Sequence, residues 1–306
     1  MLCAVMLLLL TSFTFAKESF TTNDDTPKTT TLTHLPFSAT YDESFARTLA
    51  FYAASSYCPS ASIADWSCRF CGSTDAPPLS NITLIWNATT EVSGYIGYDT
   101  KTGTLILAFR GSVSLDNWLE DFDITLLDIP CAPIVGCKVS AGFYYVTWAS
   151  VRDQVLDAIH TMSQSFGSSG VSSSLPLLIT GHSLGAAIAE VAAWDLRTQY
   201  DIQIAAIVTF GTPRTGNAAW ANSLALSAPP ISFRIVHAYD PVPHLPPEFV
   251  DYRHSPREVF YPQSGNGTNF TVCSQTDGED STCSDSILPI LPKDHNFYLN
   301  ISIDDC

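Results

Sequence analysis

The five residues at 181–185 read G-H-S-L-G, and they carry the strongest chemical signal in this chain. A short apolar stretch typical of a buried strand precedes Ser183, and an Ala-rich stretch typical of a helix follows it. Strand, tight turn and helix with serine at the apex form a nucleophile elbow, which exposes the hydroxyl for attack on a carbonyl carbon. Gly181 and Gly185 leave the room that so sharp a turn requires. The pattern predicts that Ser183 is a nucleophile rather than a serine that only caps the helix.

A serine hydroxyl needs a base to take its proton, and the base needs a carboxylate to orient it. Four histidines follow Ser183 in the chain: His237, His244, His254 and His295. Asp240 comes just after a predicted strand, at the carboxyl end where parallel sheets build their sites. His295 lies in a distant, irregular segment that can fold back over the sheet. We therefore predict Asp240 as the acid and His295 as the base. The alternatives are Asp195 or Asp251 as the acid and His254 as the base.

The negative charge that develops on an attacked carbonyl oxygen needs two hydrogen-bond donors. The backbone N–H of Leu184, directly after the nucleophile, is the first expected donor. Ser112 ends the segment F-R-G-S at 109–112, which follows a predicted strand, and it is the second expected donor. The alternative for 109–112 is an ordinary Gly-Ser turn.

The residues that follow form a short amphipathic segment over about 112–123. Its apolar side chains recur at i, i+3, i+4 and i+7: Leu115, Trp118, Leu119 and Phe122. A helix this short is marginal alone, so its stability depends on what the apolar face covers. We interpret the segment as a lid that covers the site in water and opens when its apolar face meets lipid. The alternative is a surface helix that stays packed.

The predicted secondary structure places these residues along one edge of a sheet. Strands are expected over 92–98, 104–109, 175–180, 205–210 and 231–236, with helices over 41–57, 148–162, 186–197 and 218–226. Apolar strands that alternate with helices favour a mostly parallel central sheet with helices on both faces. We expect one domain over 41–306, with a Pro-rich, irregular segment after the last strand.

The beginning of the chain is predicted to be a targeting segment. Residues 2–10 are nearly all apolar and 14–16 resemble a small-residue cleavage site, so 1–16 are expected to be a signal peptide. Because no Lys or Arg precedes the apolar run, a membrane anchor is the alternative. The Thr-rich segment 17–40 is expected to be a flexible leader or a propeptide. Later segments lack the eighteen apolar residues in a row that would predict a transmembrane helix.

Cysteine usage is typical of an extracellular protein. Of the nine Cys, Cys3 lies in the predicted signal peptide, and the other eight allow 105 pairings. Local spacing favours Cys68–Cys71, Cys131–Cys137 and Cys273–Cys283, which leaves Cys58 with Cys306. A zinc site is disfavoured because paired C-x-x-C units with a nearby His are missing. Five N-x-S/T sequons predict surface glycosylation: Asn81, Asn87, Asn266, Asn269 and Asn300.

The composition excludes one class of partner. Thirty acidic residues against fourteen basic ones give a formal net charge of −16. So negative a chain repels nucleic acid, and it disfavours anionic membranes as well.

Taken together, these residues make the chain resemble the secreted fungal class 3 lipases, a family with the α/β-hydrolase fold that includes the fungal feruloyl esterases. The resemblance spans about 41–306. Its motifs are F-R-G-S at 109–112, G-H-S-L-G at 181–185, F-G-T-P-R-T-G-N at 210–217, D-P-V-P-H-L-P-P at 240–247 and D-H at 294–295. It implies a triad of Ser183, Asp240 and His295, with Ser112 and Leu184 as oxyanion donors and with no metal or cofactor. It also implies the Cys58–Cys306 and Cys131–Cys137 disulfides.

The resemblance leaves two substrate classes open. Gly185-Ala186 and the Cys273–Cys283 pair are more similar to the feruloyl-esterase branch, whereas Ser112 and an apolar lid with Trp118 are more similar to the lipase branch. Because an insoluble ester needs an apolar docking face, we expect a triacylglycerol lipase that acts at a lipid–water interface. We expect this lipase to be secreted and monomeric. The alternative is a feruloyl esterase that acts on hydroxycinnamate esters of plant cell-wall polysaccharide. A remoter alternative is a catalytically dead hydrolase fold that only binds.

Overall fold

The order of the strands in the central sheet explains how distant candidate residues meet. A computed structural model describes residues 40–112, 123–167, 175–265, 267 and 269–306. Its strands are β1 (Leu79–Trp86), β2 (Ser93–Asp99), β3 (Thr104–Phe109), β4 (Leu126–Asp128), β5 (Lys138–Ser140), β6 (Leu177–His182), β7 (Ile204–Phe210), β8 (Ile231–His237), β9 (Glu258–Tyr261), β10 (Thr271–Val272), β11 (Phe297–Tyr298) and β12 (Ile301–Ser302). Eight of them form one sheet in the order β1-β2-β3-β6-β7-β8-β9-β10. Neighbours from β3 to β9 are parallel, and the outer pairs are antiparallel.

Helices cover both faces of this sheet. They are α1 (Glu43–Ser55), α2 (Ser60–Ala64), α3 (Ala149–Phe166), α4 (Leu184–Tyr200), α5 (Ala218–Ser227) and α6 (Pro292–His295), and a π-helical segment, Gly142–Trp148, leads directly into α3. Leu177 and Ile179 of β6 pack into a cluster with α3 and α4. On the opposite face Thr180 donates a hydrogen bond to the carbonyl of Leu49 in α1. Since β6 is covered on both sides, all its residues are buried, and its first three are apolar in a row rather than alternating.

The ends of the helices follow from local side-chain chemistry. Asp42 caps α1, because its Oδ1 accepts the N–H groups of Ser44 at 2.9 Å and Phe45 at 3.1 Å. Asn217 caps α5 in the same way by accepting the N–H of Trp220 at 3.0 Å. Such caps satisfy N–H groups that have no partner inside the helix.

Two parts of the sheet were not expected from the sequence. The segment after β8 was predicted to be irregular, yet it contributes β9 and β10 to the sheet and a β11–β12 hairpin. β9 carries Glu258, a residue depleted in strands, whose carboxylate is buried beside Arg234 of β8, with Nη2 3.4 Å from Oε2. β1 was missed because half of its side chains are exposed and only two are buried. The described residues belong to one compact unit that spans 37–306.

Several predictions about the sequence lie outside the described residues. They concern the signal peptide at 1–16, nearly all of the leader at 17–40, the sequon Asn266 and the lid residues Leu115, Trp118, Leu119 and Phe122. Of the other sequons, Asn81, Asn269 and Asn300 are exposed. Asn87 is half-buried, and its Nδ2 donates to the carbonyl of Ser150. Within the described segments, no helix combines the length and hydrophobicity that crossing a membrane requires.

The cysteines form four disulfides: Cys58–Cys306, Cys68–Cys71, Cys131–Cys137 and Cys273–Cys283. These are the pairs that the spacing of the sequence favours. Cys58–Cys306 joins residues 248 apart, so it ties the end of the chain to the segment after α1. A crosslink over so long a loop restricts the unfolded chain strongly.

Replacing both Cys58 and Cys306 with Ser is expected to lower the free energy of unfolding by about 5 kcal/mol, mainly because the unfolded chain gains entropy. Urea unfolding of the variant and of the wild type measures this difference. The matched control replaces Cys68 and Cys71, which close a loop of only three residues. Equal losses in the two double variants would contradict a dependence on loop length.

Glu190 of α4 is a buried acid in the core of the protein. Its Oε2 accepts a hydrogen bond from Thr215 at 3.2 Å and its Oε1 accepts one from Ser255 at 3.4 Å. Burial raises the pKa of Glu190 from 4.5 to about 7, although Arg234 and the two hydroxyl groups act in the opposite direction. The folded protein therefore holds this proton more tightly than the unfolded chain does.

The contribution of neutral Glu190 to the free energy of unfolding is fully present below about pH 4.5. It is lost as the pH rises through about 7, where the buried group must ionise. At about 1.4 kcal/mol per pH unit, the loss amounts to about 3 kcal/mol. Glu190→Gln stays neutral, so its free energy of unfolding should rise relative to the wild type by about this amount between pH 4.5 and pH 8. Urea unfolding at both pH values measures it, with exposed Glu91→Gln as the control. Parallel pH profiles for Glu190→Gln and the wild type would refute the assignment.

Candidate active site

Ser183 occupies a strained turn between β6 and α4. Its φ is 58°, a left-handed conformation that non-glycine residues rarely adopt. A Cβ on Gly181 would collide with the carbonyl of Gly185, and a Cβ on Gly185 would collide with the carbonyl of Phe109 in β3. Both glycines are therefore required by close backbone approach, one within the turn and one between α4 and β3. This geometry is that of the predicted nucleophile elbow.

Asp240 and His295 meet above the end of β8, although 55 residues separate them. His295 Nδ1 lies 2.9 Å from Oδ2 and 3.0 Å from Oδ1 of Asp240, and both side chains are buried. Asp240 also accepts the backbone N–H of Val242 at 2.8 Å and the hydroxyl of Tyr298. Burial opposes ionisation of Asp240, but His295 and these donors together hold its pKa below 3.8. Asp240 is therefore a carboxylate at neutral pH.

This carboxylate fixes the orientation and the tautomer of His295. Because Asp240 can only accept, the proton of neutral His295 lies on Nδ1, and Nε2 carries the free lone pair. His295 Nε2 is buried and has no hydrogen-bond partner among the described residues. His295 and Ser183 line the same cavity, which has a volume of about 180 Å³. A free lone pair on His295 Nε2, in the cavity shared with Ser183, is what general-base catalysis requires.

The alternative acids and bases have other partners. Asp195 lies three turns along α4, about 18 Å from Ser183, and accepts hydrogen bonds from Tyr144 at 2.6 Å and Trp148 at 2.8 Å. His254 Nε2 lies 2.6 Å from the carbonyl of Pro243. His244 pairs with Asp285, both nitrogens of His237 contact backbone carbonyls, and Asp251 is exposed.

The loop after β3 lies directly against the elbow. A Cβ on Gly111 would lie 2.8 Å from the carbonyl oxygen of His182 and 2.9 Å from Cβ of Ser183, so this position also requires glycine. Ser112, the next residue, lines the cavity with Ser183. Leu184 opens α4, where the first N–H groups of a helix lack intrahelical partners and carry its positive dipole end. The two expected oxyanion donors therefore belong to elements that meet at Ser183.

A hydrogen-bonded chain that the sequence analysis missed connects these parts. His182 Nε2 lies 2.7 Å from the carbonyl oxygen of His295, so Nε2 must be the protonated nitrogen. His182 Nδ1 then accepts the hydroxyl of Tyr57 at 2.6 Å, and that hydroxyl oxygen accepts the N–H of Gly111 at 3.1 Å. Burial lowers the pKa of His182 to about 3, which keeps the imidazole neutral. These hydrogen bonds join the loop after β3, the elbow and the segment that carries His295. The available signal was a histidine at the end of a buried, mainly apolar strand.

With this geometry in place, comparisons with known proteins are informative. The family model of the class 3 lipases matches residues 106–250, which include most of β3, the elbow and Asp240. This match and the relatives described below support the class 3 lipase family for this chain. This confirms the predicted family, and fungal lipases of known structure confirm the predicted α/β-hydrolase fold.

Known lipases are similar to this chain over much of its length. Secreted mono- and diacylglycerol lipase A of Penicillium cyclopium is 33% identical over 197 residues, which cover 64% of this chain but only 59% of that protein. Among solved structures, lipase II of Rhizopus niveus has a TM-score of 0.72 at 28% identity, covering 85% of this chain and 94% of that one. A triacylglycerol lipase whose catalytic centre is formed by a serine protease triad has a TM-score of 0.70 at 28% identity, covering 86% and 95%.

Proposed function

We propose that this chain is a secreted serine ester hydrolase that cleaves acylglycerols, with Ser183, His295 and Asp240 as its triad. The observation that carries the proposal is His295: its Nδ1 is held by the Asp240 carboxylate, and its Nε2 is left without a partner in the described structure beside Ser183. The relatives named above are lipases, which supports acylglycerols over hydroxycinnamate esters.

In the proposed mechanism, His295 Nε2 removes the proton of Ser183 as its Oγ attacks the ester carbonyl carbon. The N–H of Leu184 and Ser112 stabilise the oxyanion of the tetrahedral intermediate. His295 then passes the proton to the departing alkoxide, the alcohol leaves, and the acyl group stays on Ser183. Water, deprotonated by His295, attacks this acyl-enzyme and releases the fatty acid. Throughout, Asp240 orients the imidazole and stabilises its cationic form.

Secretion and interfacial action complete the proposal. Four disulfides and exposed sequons fit an oxidising, extracellular location, which the predicted signal peptide over 1–16 would supply. We also propose that 41–306 function as one domain and that 112–123 serve as the lid at a lipid–water interface. In this proposal the lid uncovers the cavity only where lipid offers a partner for its apolar side chains.

A substrate panel tests the proposal. Hydrolysis of emulsified triolein should exceed hydrolysis of methyl ferulate, and the rate on a short-chain triacylglycerol should rise steeply once its concentration passes the solubility limit. Methyl ferulate as the better substrate would establish the feruloyl-esterase alternative, and a smooth rate across the solubility limit would contradict the lid.

Tyr57→Phe should lower kcat about tenfold with little change in KM. The variant loses the donor to His182 and the acceptor for the N–H of Gly111, and one such hydrogen bond contributes about 1 kcal/mol. Steady-state kinetics on methyl butyrate separate kcat from KM, and a thermal midpoint reports on folding. Exposed Tyr200→Phe is the matched control. A kcat equal to that of the control would show that Tyr57 has no positioning role.

A further inference from the structure

The wall of the active-site cavity next to His295 is polar. Asn296, the chain neighbour of the base, lines the cavity together with Asp304. Asn296 Nδ2 donates a hydrogen bond to Asp304 Oδ2 at 2.7 Å. Asp304 is exposed at the cavity mouth, so its carboxylate remains accessible to a bound molecule.

Arg110 lines the same cavity from the end of β3. Its Nε is buried without a hydrogen-bond partner in the described parts of the chain, and Nη2 makes only a long contact of 3.4 Å to the carbonyl of Glu91. Both Arg110 and Asp304 act electrostatically on the hydroxyl of Tyr57, one lowering and the other raising its pKa. The cavity is therefore lined by a guanidinium cation and by a carboxylate with acceptor oxygens, both near one hydroxyl.

The Cys58–Cys306 disulfide fixes this arrangement. Tyr57 directly precedes Cys58 and Asp304 lies two residues before Cys306, whose Cα atom is 4.8 Å from that of Cys58. The end of the chain is thereby held against the cavity, and Asp304 cannot drift away from Tyr57. This places a carboxylate at the cavity mouth by covalent restraint.

The charges of this wall select one kind of ligand group. An apolar chain placed here would cover Arg110 and Asp304 without replacing their hydration, which is costly. An anionic group would be attracted by the guanidinium of Arg110 but repelled by the carboxylate of Asp304. A neutral hydroxyl fits both, because it donates to the carboxylate and accepts from the guanidinium.

The position of His295 decides which part of the substrate would contact this wall. In ester hydrolysis the base must protonate the leaving alkoxide, so the alcohol lies on the side of the base. We propose that Arg110, Asn296 and Asp304 form a subsite for a free hydroxyl of the alcohol moiety. This rests on the proposed esterase function and deepens it. The enzyme would favour esters of polyols that keep an unesterified hydroxyl, such as partial glycerides, over esters of simple alcohols.

Two soluble esters of one acid test the subsite: glyceryl monobutyrate, which carries free hydroxyls, and methyl butyrate, which has none. The quantity measured is the ratio of their kcat/KM values. Asp304 and His295 also interact electrostatically. Replacing Asp304 therefore changes the rates on both esters, and the ratio of the two kcat/KM values cancels this shared effect. Asp304→Asn should lower the ratio about tenfold, as expected for the loss of one charge-assisted hydrogen bond. Asp305→Asn, which changes the exposed neighbour paired with Arg69, should keep the wild-type ratio.

An unchanged ratio in Asp304→Asn would overturn the subsite, and so would an equal fall in Asp305→Asn. A thermal midpoint and the count of free thiols establish that both variants are folded with the Cys58–Cys306 disulfide intact. Failure of the esterase function itself gives a different result, since the wild type would then hydrolyse neither ester faster than Ser183→Ala.

Discussion

Ser183→Ala is expected to lower kcat on methyl butyrate by about 10⁶-fold, which is the scale of losses when the nucleophile of a serine triad is removed. The reason is that no other nucleophile occupies the apex of the elbow. His295, oriented by Asp240, then has no hydroxyl group to deprotonate. Residual hydrolysis would come from binding and oxyanion stabilisation alone. The exposed Ser165→Ala variant of α3 is the matched control and should retain the wild-type rate.

A fluorophosphonate probe gives a second readout that does not depend on the choice of substrate. It should label the wild type once, on the peptide that contains Ser183, because only a serine activated by a base reacts rapidly. The Ser183→Ala variant should not be labelled. If the variant keeps its activity or its label while remaining folded, then the nucleophile is a different residue.

The elbow could be predicted from sequence because most of what it requires is local. Strand, turn glycines and helix occupy one continuous segment, and the close contacts of Gly181 and Gly185 involve their own turn and the adjacent β3. Asp240 could be predicted from its position at the end of a parallel strand. His295 rather than His254 as the base stays a prediction, because both follow Asp240 in the chain. In the fold, His295 Nδ1 lies 2.9 Å from the Asp240 carboxylate, whereas His254 Nε2 lies 2.6 Å from the carbonyl of Pro243.

Other parts of the fold and site could not be predicted because their partners are distant in the chain. The contact between Tyr57 and His182 spans 125 residues, and neither residue type by itself predicts the other. Glu258 is of a residue type that is depleted in strands, and only the fold shows that Arg234 lies beside its carboxylate. Similarly, Asp304 stands in an unremarkable acidic end of the sequence, and only the disulfide brings it to the cavity. The missing information is tertiary contact rather than local preference.

Asp240→Asn is expected to lower kcat by about 10⁴-fold while leaving the fold intact, as the same change does in other serine triads. In the wild type, Asp240 Oδ1 accepts the N–H of Val242, and Oδ2 accepts the hydroxyl of Tyr298. An amide can supply only one acceptor oxygen. Because the N–H of Val242 cannot rotate, that oxygen should face Val242, and the NH₂ group should face Tyr298 and His295.

An NH₂ group in place of Oδ2, which lies 2.9 Å from His295 Nδ1, donates to Nδ1 and competes with the oxygen at Oδ1, which lies 3.0 Å away. Donation to Nδ1 favours the tautomer protonated on Nε2 and removes the lone pair that would deprotonate Ser183. The expected defect is therefore a wrong tautomer rather than a lost contact, and kcat should fall far more than stability. Steady-state kinetics on methyl butyrate together with urea unfolding measure the two effects separately. Asp251→Asn, the exposed alternative acid, is the control and should match the wild type. A loss in kcat of less than about tenfold for Asp240→Asn, or a larger loss for Asp251→Asn, would show that the carboxylate bound to His295 does not orient the base.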